Sequence, residues 1–494
     1  MKKLYPLLAF LLFVSISNAQ SYDSAAIAQR FKKVDHILNI LKDFRFKAFV
    51  QPEWQRADTA SANSVQYGNF PTAANNRFVI RWGRFILGWQ HEIVNKHGDS
   101  IKVGEFYFNE NITEKGFTGP YDFYGRIIDP WTGWFGLRGG IFLRQFGFET
   151  PENADVMQCP EGNRINQNIF PNVSELGEEI IIESPRTFKP LYLKINAGMV
   201  NGNGILVGAE NGAYESRKDF LGRIWIGKSW KLGESSKISI NASGSYYNGG
   251  VMQTTDSVYQ LTPDSAGLYF KNVTVGTSKG GGAWQKQVIM YKREYVGAHA
   301  QINFDYKIKG SFSATTMIRG EFITGTQPGQ WGTNQVPTGT LNGTPTYTGA
   351  PNTNLGAGLY LRKFMGGAFY FTQSFHYMAG KQQMHTDITF KYDGYDPNTQ
   401  VKGSEIIASR GFSKAGTDVA WNTFSGGISF SPVPYFKLML WYDHVVNEST
   451  GLTGTRFATD YAKDNVFTIR TQFSIDSWWW DKKSMNSNLI VKTY

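Results

Sequence analysis

The sequence predicts an all-β protein: a transmembrane antiparallel β-barrel of about sixteen strands with a short N-terminal helix. Three observations carry this. Segments that alternate apolar and polar residues recur along the 494-residue chain, the period of a strand with one greasy and one wet face. Connections between them alternate short and long, as periplasmic turns and external loops do in outer-membrane barrels. No run of about 18 or more apolar residues follows the first twenty positions, so no helix is expected to span a bilayer. High aromatic and glycine content would also suit a secreted sandwich or a glycan-binding protein. Such a fold has little reason to alternate its loop lengths.

Residues 1–19 read as a secretory signal. Lys2 and Lys3 form its basic start, LLAFLLFVSI its apolar core, and Ser17-Asn18-Ala19 a small-residue cleavage site. Residues 20–43 read as a periplasmic helical segment, because Ile27, Phe31, Val34, Leu38 and Leu41 fall on an a/d seam. The barrel is expected over 44–476 and an aromatic C-terminal tail over 477–494. In that tail Trp478, Trp479 and Trp480 suit the membrane–water interface.

The first strand runs Phe44 to Gln55, with Pro52 weakening its pairing or marking a bulge. The second, Arg77 to Glu92, carries Arg81 and Arg84 three apart, so a bulge near Gly83 is expected to keep both out of lipid. Strands follow at 102–111, 121–128, 134–144, 176–183, 191–200, 221–230 and 237–247. The rest end at Tyr306, run 311–324, lie within 356–375, run 385–393, end near Phe430, and run 436–446 and 465–476. Long connections are expected near 57–76, 149–174, 201–217, 248–286, 325–353, 395–417 and 447–464, with 114–120 a shorter exception.

The stretch from Trp134 to Gly177 organises the chain. Its first half puts Arg138, Gly140, Phe142 and Arg144 on one face and Leu137, Ile141 and Leu143 on the other. Its second half is a long polar loop with prolines and asparagines, which suits a segment beside a lumen. The pore-lining candidates are Arg45, Lys47, Arg81, Arg84, Arg126, Arg138, Arg144, Lys194, Arg319 and Arg470, with Arg223, Lys391 and Lys437 beside them. Glu149, Glu152, Asp155 and Arg164 are the candidates on the constriction loop. Basic rings can select anions. Equally, the cations can pair with the inward acids Glu53, Glu105, Asp305, Glu321, Asp387 and Asp443 and brace the wall. Placing such arginines in lipid instead would cost about 2–4 kcal/mol each near the midplane.

Formal charge is +10, or +8 once Lys2 and Lys3 are removed. The excess is spread as single residues, which argues against a nucleic-acid partner. The sole cysteine, Cys159, cannot form an internal disulfide. The seven histidines are scattered without a paired spacing and no cysteine cluster exists, so neither catalysis nor a metal or other cofactor is expected. The chain is too short for a 22-stranded transporter with a plug domain.

Four segments carry a family resemblance: Arg77 to Gly88 (RFVIRWGRFILG), Leu137 to Glu149 (LRGGIFLRQFGFE), Leu193 to Gly204 (LKINAGMVNGNG), and Val296 to Gly325 with RGEFITG. Together they resemble the phosphate-selective porin O/P family. The resemblance implies a sixteen-stranded barrel, usually trimeric, with a loop folded into the pore and passive diffusion of small anions or other small solutes. Gln145 and Gly147 depart from the family pattern, and the loop has one cation among four acids. It lacks the arginines and lysines a phosphate constriction needs. The expectation is therefore a porin for small hydrophilic solutes with weak anion preference, sited among outer-membrane lipid as a homotrimer. The alternative is a structural or binding barrel in a larger secretion or uptake assembly, with partner proteins docking on the external loops.

Overall fold

The computed structural model describes residues 43–476 except 61, 63–69, 72, 95–99, 115, 171–172, 186–187, 189–190, 203–217, 254–257, 265–266, 273–288, 331–338, 342–343, 347–358, 381, 404–417 and 450–463. The signal, the N-terminal helix and the aromatic tail lie outside the described residues.

Alternation produces strands of nine to twenty-one residues along the wall. They are β1 (Phe44–Ala57), β2 (Asn76–Val94), β3 (Ser100–Thr113), β4 (Gly116–Ile128), β5 (Phe135–Leu143), β6 (Ser174–Glu183), β7 (Tyr192–Val200), β8 (Asp219–Leu232) and β9 (Ser236–Gln253). A hairpin of β10 (Val258–Asp264) and β11 (Gly267–Asn272) precedes β12 (Ile289–Lys309) and β13 (Phe312–Gln330). A second hairpin, β14 (Gly339–Leu341) and β15 (Thr344–Thr346), precedes β16 (Leu359–Ala379), β17 (Gln382–Asp396), β18 (Trp421–Val433), β19 (Phe436–Asn447) and β20 (Val466–Asp476). Without the two hairpins, sixteen strands remain. Each pairs antiparallel with its neighbour along the chain, and β20 returns to β1 from Lys47↔Asp476 to Ala57↔Val466. The barrel is closed and leaves no strand edge in the wall.

The strands reach further than the alternation alone predicts. The connection expected at 114–120 is mostly wall, because β4 begins at Gly116. Gly116 and Gly119 take positive φ values of 93° and 113°, and the β3–β4 register shifts beside them. Glycine and proline there make an irregular strand rather than a loop. The bulge in β2 falls on Arg81, two residues before the expected Gly83: Gln51 pairs with Trp82 and Pro52 with Ile80. One extra residue restores the parity, so Arg81 and Arg84 both face inward.

Inward positions of β1 are Phe49, Gln51, Glu53, Gln55 and Ala57, all buried. Outward positions around the ring stay exposed and apolar, among them Phe78, Phe85, Phe106, Met199, Ile224, Phe322, Phe390, Phe424 and Ile475. Cross-strand aromatic pairs such as Phe46–Phe85 and Phe106–Phe123, 5.2 and 5.5 Å between ring centroids, knit that surface. Large apolar side chains exposed on strands all around the wall are a surface that soluble monomers do not present. A closed barrel wearing it belongs in a bacterial outer membrane.

Candidate functional site: the segment across the lumen

β5 ends at Leu143, and residues 144–173 turn into the barrel before β6 begins. The turn is set by Gly147, with φ +67°. Its N–H donates to Ser245 Oγ at 2.9 Å and its carbonyl accepts from Arg223 Nη1 at 2.8 Å. A Cβ here would meet the His299 ring at 3.0 Å, so the close approach demands glycine.

The segment carries the one short helix among the described residues, α1 (Arg164–Ile169), capped by Asn163, whose side chain accepts from the Asn166 N–H at 2.8 Å. α1 turns Ile165 and Ile169 onto an inner layer of the wall. With Phe142, Phe146 and Phe170 they pack among Tyr247, Tyr295, Ile323, Phe364 and Tyr395. Phe170 lies edge-on to Tyr247 and Tyr295, with centroids 5.5 and 5.6 Å away. Every one of these residues sits in the half of the barrel toward the long connections.

Deeper in, residues 151–162 form a strap held by charge. Arg319 Nη1 donates to Glu152 at 2.8 Å, Arg81 forks onto Glu161, and Lys47 pairs with Asp155. Arg470 reaches Glu53, Glu161 and the Pro160 carbonyl, the last at 2.6 Å. Lys391 donates to the Gly162 carbonyl at 2.9 Å and Lys437 to the Asp155 and Met157 carbonyls at 3.3 Å. Ala154 packs with Phe49, Ile86 and Tyr107 of β1, β2 and β3, beside the Lys47 and Arg81 pairs. The segment thus leaves the wall at β5 and β6 and is bonded to it on the opposite side and on both flanks.

Glu149 is the pivot between the two parts. Tyr370 Oη and the Asn163 N–H donate to it, and Asn163 Nδ2 donates at 3.2 Å. Burial pushes its carboxyl up to about 7, against the pull of the Lys391 ammonium and with the help of Glu321. Burial likewise pushes the Cys159 thiol up to about 12.

Of the residues singled out in the sequence, Lys47, Arg81, Arg319 and Arg470 converge on the segment, as do Glu152 and Asp155 from the segment itself. Arg126 and Lys194 share Glu183, and Arg138 and Arg144 pair with Glu179 and Glu175 across the β5–β6 ladder. Arg84 instead lies over the Tyr121 ring, 3.2 Å from its centroid. Arg45 is near the start of β1 and donates to the Phe44 carbonyl. Arg164 stacks over Trp421 at 4.2 Å while its backbone N–H donates to Asp393. The arginine-or-acid alternative resolves toward pairing, for Arg126, Arg138, Arg144 and Lys194 with acids that the sequence reading did not single out, Glu175, Glu179 and Glu183. It also missed Tyr370 and Arg293. Arg293 donates to the Gly202 carbonyl and to Tyr295 Oη, at 3.0 and 3.1 Å.

No family model matches the chain, and no curated protein does. Solved structures do. OprB of Pseudomonas putida matches with TM-score 0.43 at 10% identity, covering 89% of this chain and 96% of that one. The outer-membrane channel DcaP of Acinetobacter baumannii gives 0.42 at 10%, covering 88% and 97%. An anion-selective porin from Comamonas acidovorans gives 0.40 at 8%, covering 87% and 99%. At such scores the architecture of this chain rests on its own strand pairing.

Proposed function

We propose that the protein is a porin-type channel for passive diffusion of small hydrophilic solutes, in which residues 144–173 set the width of the path. The observation that carries this reading is the segment itself, polar and folded into a closed membrane barrel. Ionic preference is weak at most, because Lys47, Arg81, Arg319 and Arg470 around the segment have carboxylate partners, and phosphate selectivity forms no part of it. A homotrimer belongs to this reading, as do a cleaved signal at 1–19, a periplasmic segment at 20–43 and a terminal aromatic tail at 477–494.

The test is single-channel recording of folded protein in a planar bilayer under a salt gradient. The reading expects resolved steps with a reversal potential near zero or slightly toward anions. It also expects several-fold larger steps when residues 151–162 are replaced by a short Gly-Ser linker. A second reading, a plugged barrel serving a larger assembly, is favoured by the segment's bonds to wall strands on all sides. Silence from the wild type with conductance restored in the linker variant would establish that reading; silence from both would sink the channel altogether.

A further inference from the structure

We propose that His376 and His385 form a lumenal binding site for a divalent transition-metal cation, Cu²⁺ or Ni²⁺ rather than Zn²⁺. The two residues are directly paired across β16 and β17, three positions from the short turn that joins them. They lie on the inward face, in line with Ser374 and Asp387, at the end of the barrel away from the long connections.

His385 Nε2 lies 2.7 Å from Asp387 Oδ1, and Asp387 is itself held by Ser374 Oγ and Ser429 Oγ at 2.6 and 2.8 Å. An ionised carboxylate only accepts, so Nε2 of His385 carries a proton, and in the neutral ring Nδ1 is then the nitrogen with the lone pair. This carboxylate-to-imidazole contact is the outer support that metal-ligating histidines use. The bare Nδ1 accepts a hydrogen bond from the Nδ1–H of His376 at 2.9 Å; a bound cation takes the place of that proton, which His376 then carries on Nε2.

Ring geometry argues for convergence on a common point. Two head-on imidazoles at that nitrogen separation would place their centroids about 5 Å apart; the observed distance is 4.4 Å, with the planes 35° apart. Two metal–nitrogen bonds of about 2.0–2.1 Å meeting at about 90° separate the nitrogens by roughly 2.9 Å. A tetrahedral angle would need about 3.4 Å. The spacing therefore fits two adjacent positions of a tetragonal ion. Among the described residues no set of three His, Cys, Asp or Glu side chains gathers for a metal, so water fills the other positions. The ring of His385 is partly exposed, which leaves the ion a way in.

The test uses folded full-length protein in detergent, titrated with CuCl₂ and read by electron paramagnetic resonance. The expected result is one bound Cu²⁺ with two imidazole nitrogens. Affinity should fall at least tenfold in His376→Ala and in His385→Ala, and about 10–100-fold in Asp387→Asn. Heat-modifiable migration on a gel verifies that each variant is folded. Unchanged Cu²⁺ affinity in the folded His376→Ala/His385→Ala double variant would overturn the proposal, as would a spectrum without two imidazoles. No conductance is needed, so the outcome is independent of the channel reading.

Discussion

The two parts of the lumenal segment are fastened by different physics. The aromatic anchor, built on Phe146, Ile165, Ile169 and Phe170, buries apolar surface against tyrosines and phenylalanines of the wall. Its strength comes from area removed from water and is not screened by salt. The strap, residues 151–162, is held by Arg319, Arg470, Arg81, Lys47 and Lys391. Buried charge pairs of this kind contribute little net stability, yet losing one partner costs much. A segment with a greasy end and a charged end can be loosened at one end only, which is the arrangement a constriction needs if its width is to vary.

The largest expected effect comes from the anchor. Phe170→Ala removes the ring set edge-on against the stacked Tyr247 and Tyr295, at a cost of about 3–5 kcal/mol. Hydrogen exchange of the α1 amides should rise sharply, and raising NaCl should not increase the change further, since no charge pair is being screened. If exchange instead stays slow, the anchor is not the firm end.

Arg319→Ala should cost less, about 2 kcal/mol, because water can enter the lumen to solvate Glu152. Its effect should appear in the strap's amides and leave α1 protected. Equal loosening of both parts would mean the segment moves as one body, and the comparison fails.

A smaller effect is expected from pH. The Glu149 carboxyl is raised from 4.5 to about 7 in the seated segment. A raised acid favours the seated form fully below about 4.5, and that contribution is lost as pH climbs through about 7. Protection of the strap amides, measured against their intrinsic base-catalysed exchange rates, should therefore fall between pH 5 and 8 in the wild type, and that fall should be absent in Glu149→Gln. The reverse slope would assign the pH response to another group.

The smallest signal is chemical. Cys159 is buried with its thiol pushed up to about 12, so maleimide labelling should be slow at neutral pH. It should accelerate in Arg319→Ala more than in Phe170→Ala. The opposite order would place the hinge at the strap.

The wall was largely legible in the sequence, and the segment's seating was not. Alternation is a local signal, so residues such as Lys194, Asn196 and Arg223 declare their face within a few positions. The β4 start was hidden because Gly116, Gly119 and Pro120 read as turn chemistry. Pairing is a matter of distant partners: Arg319 meets Glu152 from 167 residues away and Tyr370 meets Glu149 from 221. No pattern along the chain announces either. Glu175 and Glu179 could have been found, since they stand directly opposite Phe142 and Arg138 in the β5–β6 ladder. Their face follows from period two once the register is known.

The seam between β1 and β20 bears on how the molecule is made. The other pairings of the wall join strands that are neighbours along the ring in chain order, while this one joins Lys47 to Asp476. Local hairpins close cheaply and early; a contact across more than four hundred residues waits until the rest of the wall has gathered. The strap is bonded to both sides of that seam, to Lys47 on β1 and to Arg470 on β20. Residues 151–162 therefore clasp the first and last strands from inside, so the one long-range seam of the wall is joined by side-chain charge pairs as well as by its own ladder.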